Sequence, residues 1–154
     1  LNESFNHPDK MQEPEKKNQD LPSLYSLTAI GVATFLGSIL AGGYMVIANY
    51  LSLGEKQMAK QVAYGTAAVI LIWIILSMQM AGAKITTMIA VNMGQVVLAL
   101  IVANKLQGKM FSSYQEMGGK YYGMGRVVAI SIIASIVFTV AGALIIAFIG
   151  GAPK

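Results

Sequence analysis

The sequence predicts an all-α integral membrane protein, a bundle of four transmembrane helices. Three observations predict it. Hydrophobic residues make up 55% of the 154 and charged residues 12%, about half the usual charged share. Mean hydropathy is +0.60, and a surface with so few charges must largely face something other than water. All of the charge lies outside four long runs, 21–54, 61–83, 85–104 and 127–153. Each run reaches the roughly 20 residues a helix needs to cross a bilayer. Backbone in lipid must bond within its own segment, which leaves helices as the solution.

The elements follow in order. Residues 1–24 hold five of the seven acids, three lysines and three of the four prolines, the composition of a disordered polar tail. The chain opens on Leu1, and Met11 is a candidate start. The remainder, 25–154, is the membrane domain. Span one is expected at about 27–50, flanked by Tyr25, Tyr44 and Tyr50 as interfaces favour. Span two, about 62–80, is centred on the most apolar stretch of the chain and is too long for a buried strand. Span three, about 85–103, is weaker because Thr86, Thr87, Asn92 and Gln95 interrupt it. The short turn around Gly82 makes spans two and three a tight antiparallel hairpin. Residues 104–126 mix glycine, serine, aromatics and basic residues, which reads as a loop with a short interfacial helix at 107–117. Span four is expected at about 127–150.

Four spans place the N-terminal tail, the 81–84 turn and the C-terminus on one side. Loops 54–61 and 104–126 then lie on the other. Lysine and arginine divide five against six between those sides. The six lie closer to span ends, so the two loops are expected in the cytoplasm and both termini outside, with the opposite, N-in orientation as the competing reading. Ser4 and Ser112 are then on opposite faces of the membrane.

The stretch Ala33-Thr34-Phe35-Leu36-Gly37-Ser38-Ile39-Leu40-Ala41-Gly42-Gly43, followed by Asn49-Tyr50-Leu51-Ser52-Leu53-Gly54, resembles the opening of a widespread family of small uncharacterised bacterial polytopic membrane proteins. Their pattern runs A-T-F-L-G-S/G-P-L-A-G-G, then N-Y/F-x-x-L-G. A looser likeness continues through Leu106-Gln107-Gly108, Gly118-Gly119 and Arg126. The resemblance implies membrane class, helix count and a bacterial inner-membrane location, and carries no biochemical activity. This chain has Ile39 where the family usually has proline, so the kink proline would impose is expected to be missing.

Ala33, Gly37 and Ala41 recur four residues apart, as do Ser38 and Gly42. Small residues at this spacing let membrane helices approach closely. Packing within the bundle is the expected use; a homo-oligomer or partner face, or a solute path at Gly42-Gly43, are the alternatives. Span four repeats the device with Ser131, Ser135, Thr139 and Gly142. Asn92 and Gln95 share a face of span three and serve either packing or a polar path.

The exclusions are sharper. No Asp, Glu, Lys, Arg or His falls within a span, whereas proton relays and ion-coupled transport depend on such groups. There is no cysteine, and the single histidine, His7, precedes the first apolar run. No catalytic residue, metal site or cofactor is expected. Met78, Met80, Met88 and Met93 suggest Cu(I) by softness alone, and methionine is a common apolar filler. The glycines around Lys120 lack the lysine-serine/threonine ending of a phosphate loop. Lys105, Lys109, Lys120 and Arg126, with Tyr121 and Tyr122, fit a lipid headgroup layer instead, at about 1 kcal/mol per basic residue. The expected function is a non-enzymatic structural or accessory membrane subunit working through helix contacts. A passive channel or facilitator built as a homo-oligomer is the alternative. The expected partners are the bilayer, further copies or other membrane subunits, and no nucleic acid.

Overall fold

The computed structural model describes residues 21–80 and 82–150. Four helices follow one another: α1 (Leu27–Ser52), α2 (Lys56–Gln79), α3 (Ile85–Glu116) and α4 (Met124–Gly150). Each is long and apolar enough to cross a membrane, so the expected helical class and helix count are found.

Helix α1 is the core. Half of its apolar window is buried, against 6% or less in the other three. It packs on each of α2, α3 and α4, which scarcely touch one another. A helix apolar all round needs cover on every side, and three neighbours provide it. The expected hairpin of spans two and three is therefore corrected: a short turn joins α2 to α3, but each packs on α1 rather than on the other.

Helix α1 is also folded in two. Ser38 has φ 66° and ψ −178°, a conformation nearly exclusive to glycine that costs other residues about 1–3 kcal/mol. It separates a first arm, 27–37, from a second, 39–52. The Tyr25 amide, just ahead of the first arm, donates to Asn49 Oδ1 at 2.7 Å, and Asn49 Nδ2 donates back to the Tyr25 carbonyl at 2.8 Å. A straight helix would hold residues so far apart in sequence about 36 Å apart. Farther along, a Cβ built on Gly42 would fall 3.3 Å from Thr34 Cβ and 3.5 Å from the Ile30 carbonyl oxygen. The pairs 25/49 and 34/42 are both centred on residues 37–38, so the second arm runs back along the first. The kink expected to be missing for want of proline is thus present, one residue before Ile39. Close approach at Gly42 replaces ring geometry as its support.

Other ties close the same end of the molecule. Leu24 pairs with the chain at Tyr121: its amide donates to the Lys120 carbonyl at 3.1 Å and its carbonyl accepts from the Tyr122 amide at 2.9 Å. The Tyr114 hydroxyl donates to the Pro22 carbonyl and accepts from the Lys120 amide at 3.1 Å. Tyr50 donates to the Leu106 carbonyl at 3.0 Å. Residues 21–24, expected in the disordered tail, are built into the fold, with Leu24 fully buried. The rest of that tail, 1–20 with His7, lies outside the described residues, as does Lys154.

The expected 104–126 loop is corrected as well. Helix α3 runs on to Glu116, and the connection to α4 is residues 117–123. Ala103, Gln107 and Tyr114 are buried, with Phe111 packed against the core. These recur at three- and four-residue spacing, one face of a helix, which outweighs the glycines and serines between them. Gly118, at φ 76°, ends the helix in the left-handed cap that glycine adopts without strain. With 32 residues, α3 is about 48 Å long. That exceeds the roughly 30 Å of bilayer hydrocarbon, so an apolar run can end near Asn104 while its helix continues.

Candidate functional site

The fold concentrates its buried polar groups at one end. Asn49, at the end of the second arm, and Gln107, on the buried face of α3, are both fully buried. Besides its two bonds to Tyr25, Asn49 Nδ2 donates to Gln107 Oε1 at 3.2 Å. Gln107 Nε2 donates to the Val46 carbonyl at 3.1 Å. This amide clasp joins the segment before α1, the end of α1 and the last third of α3. A buried amide without partners is costly, and here every amide nitrogen and oxygen is used. In the sequence both residues stand out only within the stretches that carry the family resemblance, with no bonding role attached. The available signal was an amide inside or beside an uncharged run, which must find a partner.

An aromatic and basic rim lies over the clasp. Tyr25 and Tyr122 pack at a tilt of 41° with ring centres 4.6 Å apart, and the Arg126 guanidinium sits 4.1 Å from the Tyr122 centre and 5.9 Å from that of Tyr25. Burial pushes the Tyr25 phenol up, partly offset by Arg126, so it stays neutral at physiological pH. Lys105, Lys109, Lys120 and Arg126 are exposed and Tyr121 and Tyr122 half-buried. That is the distribution of a membrane–water interface, with aromatic rings at headgroup level and charges outside.

The small residues of α1 are used within the chain. Ala33, Gly37, Ala41 and Gly42 are buried and Ser38 half-buried. A Cβ on Gly37 would lie 2.5 Å from the Ser131 carbonyl oxygen and 2.8 Å from its Cα, so this glycine is where α1 and α4 cross at backbone contact. Gly43 meets the Thr66 side chain of α2 in the same way. Ser131 is fully buried, its hydroxyl donating to the Val127 carbonyl at 2.7 Å. Ser135 and Gly142 are half-buried and Thr139 exposed. The structure therefore brings Gly37 and Ser131 together, but does not gather the rest of the α4 set around them.

Between α2 and α3, with the second arm as floor, runs an apolar groove. Its wider part, about 300 Å³, is lined by Gly43, Val46, Met58, Thr66, Val102 and Leu106 among others. A continuation of about 270 Å³ shares Ile39, Val69 and Leu98 with it and adds Trp73, Val91 and Gln95. Gln95 thus faces the groove, whereas Asn92 points outward and is exposed. The two amides do not meet in one polar path. Among the described residues there is no group of three or more His, Cys, Asp or Glu able to hold a metal ion; the Met78 side chain lies outside the described residues. No family model, curated protein or solved structure matches the chain.

Proposed function

We propose that this chain is a non-enzymatic, multi-pass membrane protein that acts as a structural or accessory subunit through helix contacts within the bilayer. The observation that carries the reading is the open groove between α2 and α3. It is apolar, faces outward, and is flanked by Gly65 and Gly94, around whose Cβ positions nothing lies within 4 Å. Glycines exposed on a lipid-facing surface let another helix approach closely. The outer faces of α2, α3 and α4 are apolar and exposed, as at Ile72, Ile89 and Ile136. A soluble protein rarely carries such contiguous apolar surface. The sequence motif supports a bacterial inner-membrane location.

Native mass spectrometry of the detergent-purified protein is the test. The proposal expects a reproducible complex, with further copies or with other membrane subunits; a bare monomer throughout counts against it. The channel reading has Gln95 in an otherwise apolar groove, a surface prone to dewetting rather than to conduction. We accordingly expect no measurable solute or ion flux through the protein in liposomes. Asn92→Leu should change stability by less than about 1 kcal/mol, because the side chain is exposed on the outer face of α3, where substitutions usually cost little. A flux that Gln95→Leu abolishes would establish the channel instead.

A further inference from the structure

We infer that α1 does not cross the membrane: it enters and leaves from one side as a re-entrant hairpin, and the chain crosses three times, through α2, α3 and α4. By total length and composition α1 qualifies as a span. By its path it does not. The first arm, 27–37, is about 16 Å long and the second, 39–52, about 21 Å. Neither reaches across roughly 30 Å of hydrocarbon. The two ends of α1 adjoin through Tyr25 and Asn49, and both are tied to α3 and to the α3–α4 connection through Gln107, Leu106 and Lys120.

The bend itself sits where a bilayer permits irregular backbone. Such backbone is tolerated at membrane depth only when protein covers it. Here Gly37 and Ala41 are buried, and Gly37 lies against the α4 backbone at Ser131. Ile39, just past the bend, lines the groove beside Val69 of α2 and Leu98 of α3. Val69 is about 20 Å along α2 from its start and about 15 Å from its end, which puts the bend near the middle of that crossing. Beyond this level the described residues form no interior. Among the described residues, every buried side chain of α2, α3 and α4 lies on the hairpin side of Val69 and Leu98 and no farther than Ser131, respectively. One half of the membrane-embedded protein therefore holds five packed helical segments and the other half three separated ones.

Charge supplies independent support. A four-span path divides lysine and arginine five against six, which scarcely orients a protein. With α1 re-entrant, the chain ahead of Leu21 departs from the same side as the α1–α2 and α3–α4 connections. Of the eleven Lys and Arg residues, Lys84 and Lys154 then lie on the far side and the other nine on the hairpin side. That is the asymmetry expected of a cytoplasmic face. The N-terminal tail is thereby moved from outside, where four spans would put it, to the cytoplasm.

The chain has no cysteine, so single cysteines report cleanly. Ser4→Cys, Ser112→Cys and Ala83→Cys would each be labelled with a membrane-impermeant maleimide in sealed vesicles, and again after permeabilisation to assign a side. Ser4→Cys and Ser112→Cys should label from one side and Ala83→Cys from the other. A fluorescent protein that matures only in the cytoplasm, fused ahead of Leu1, should be bright. It gives the same reading where a variant expresses poorly. Ser4→Cys and Ser112→Cys on opposite sides, or a dark but intact fusion with Ser112→Cys cytoplasmic, would overturn the inference and restore a fourth span.

Discussion

Asn49→Leu is expected to destabilise the protein by about 3 kcal/mol, because removing one partner leaves several buried polar groups unmet at once. The leucine side chain is similar in size, so the loss is one of bonding rather than of volume. Tyr25 keeps a buried amide and carbonyl with no helical neighbour to turn to, since Tyr25 precedes the first arm. Gln107 Oε1 loses its donor in the same step. Interhelical bonds in membranes average well under 1 kcal/mol because the dissociated helices find other partners. The clasp differs in bonding backbone outside a helix, where no such substitute is in place. Thermal unfolding in detergent followed by circular dichroism measures the effect, with Asn92→Leu as the exposed control. Equal midpoints for the two variants would remove the clasp from any structural role.

Gly37→Leu should be worse than any substitution on the outer helix faces. Even the first carbon of a side chain would meet the Ser131 carbonyl oxygen at 2.5 Å and Ser131 Cα at 2.8 Å. Those are backbone atoms of a neighbouring helix and cannot rotate aside. Overpacking typically costs about 1–3 kcal/mol and sometimes more; at a backbone crossing we expect the upper end or failure to fold. Ile70→Leu, a volume-conserving change at a half-buried site, should cost less than about 1.5 kcal/mol. The measurement is the pair of unfolding midpoints together with monodispersity on gel filtration. A Gly37→Leu protein as stable as Ile70→Leu would mean that α1 and α4 do not cross there.

Hydropathy made the helices legible and left their paths hidden. The uncharged runs mark α1 to α4 because lipid or a buried core demands apolar residues whichever way a helix travels. The same demand makes a hairpin of two apolar arms look like one span. Gly37-Ser38 was visible as a small pair, but small residues serve close packing and bends alike, and the familiar bend signal, proline, is absent at Ile39. The α3 boundary was misplaced for a different reason. Apolar content stops where the hydrocarbon stops, whereas Ala103, Gln107, Phe111 and Tyr114 continue a helical stripe beyond it. Asn92 and Gln95 drew attention by standing inside a run. Asn49 and Gln107 carry the buried bonding because they stand where the hairpin's two ends meet α3, a juxtaposition that no local pattern encodes.

The fold-back of α1 is the claim on which the rest depends, and one distance tests it. Thr28 and Ser52 are exposed residues at the outer ends of the two arms. Spin labels at Thr28→Cys and Ser52→Cys, measured by double electron–electron resonance in lipid nanodiscs, should give a distribution centred below about 20 Å, because the arms lie side by side at the ~8–10 Å spacing of packed helices. A continuous helix would separate the same positions by about 36 Å, and a distribution centred there would contradict the hairpin.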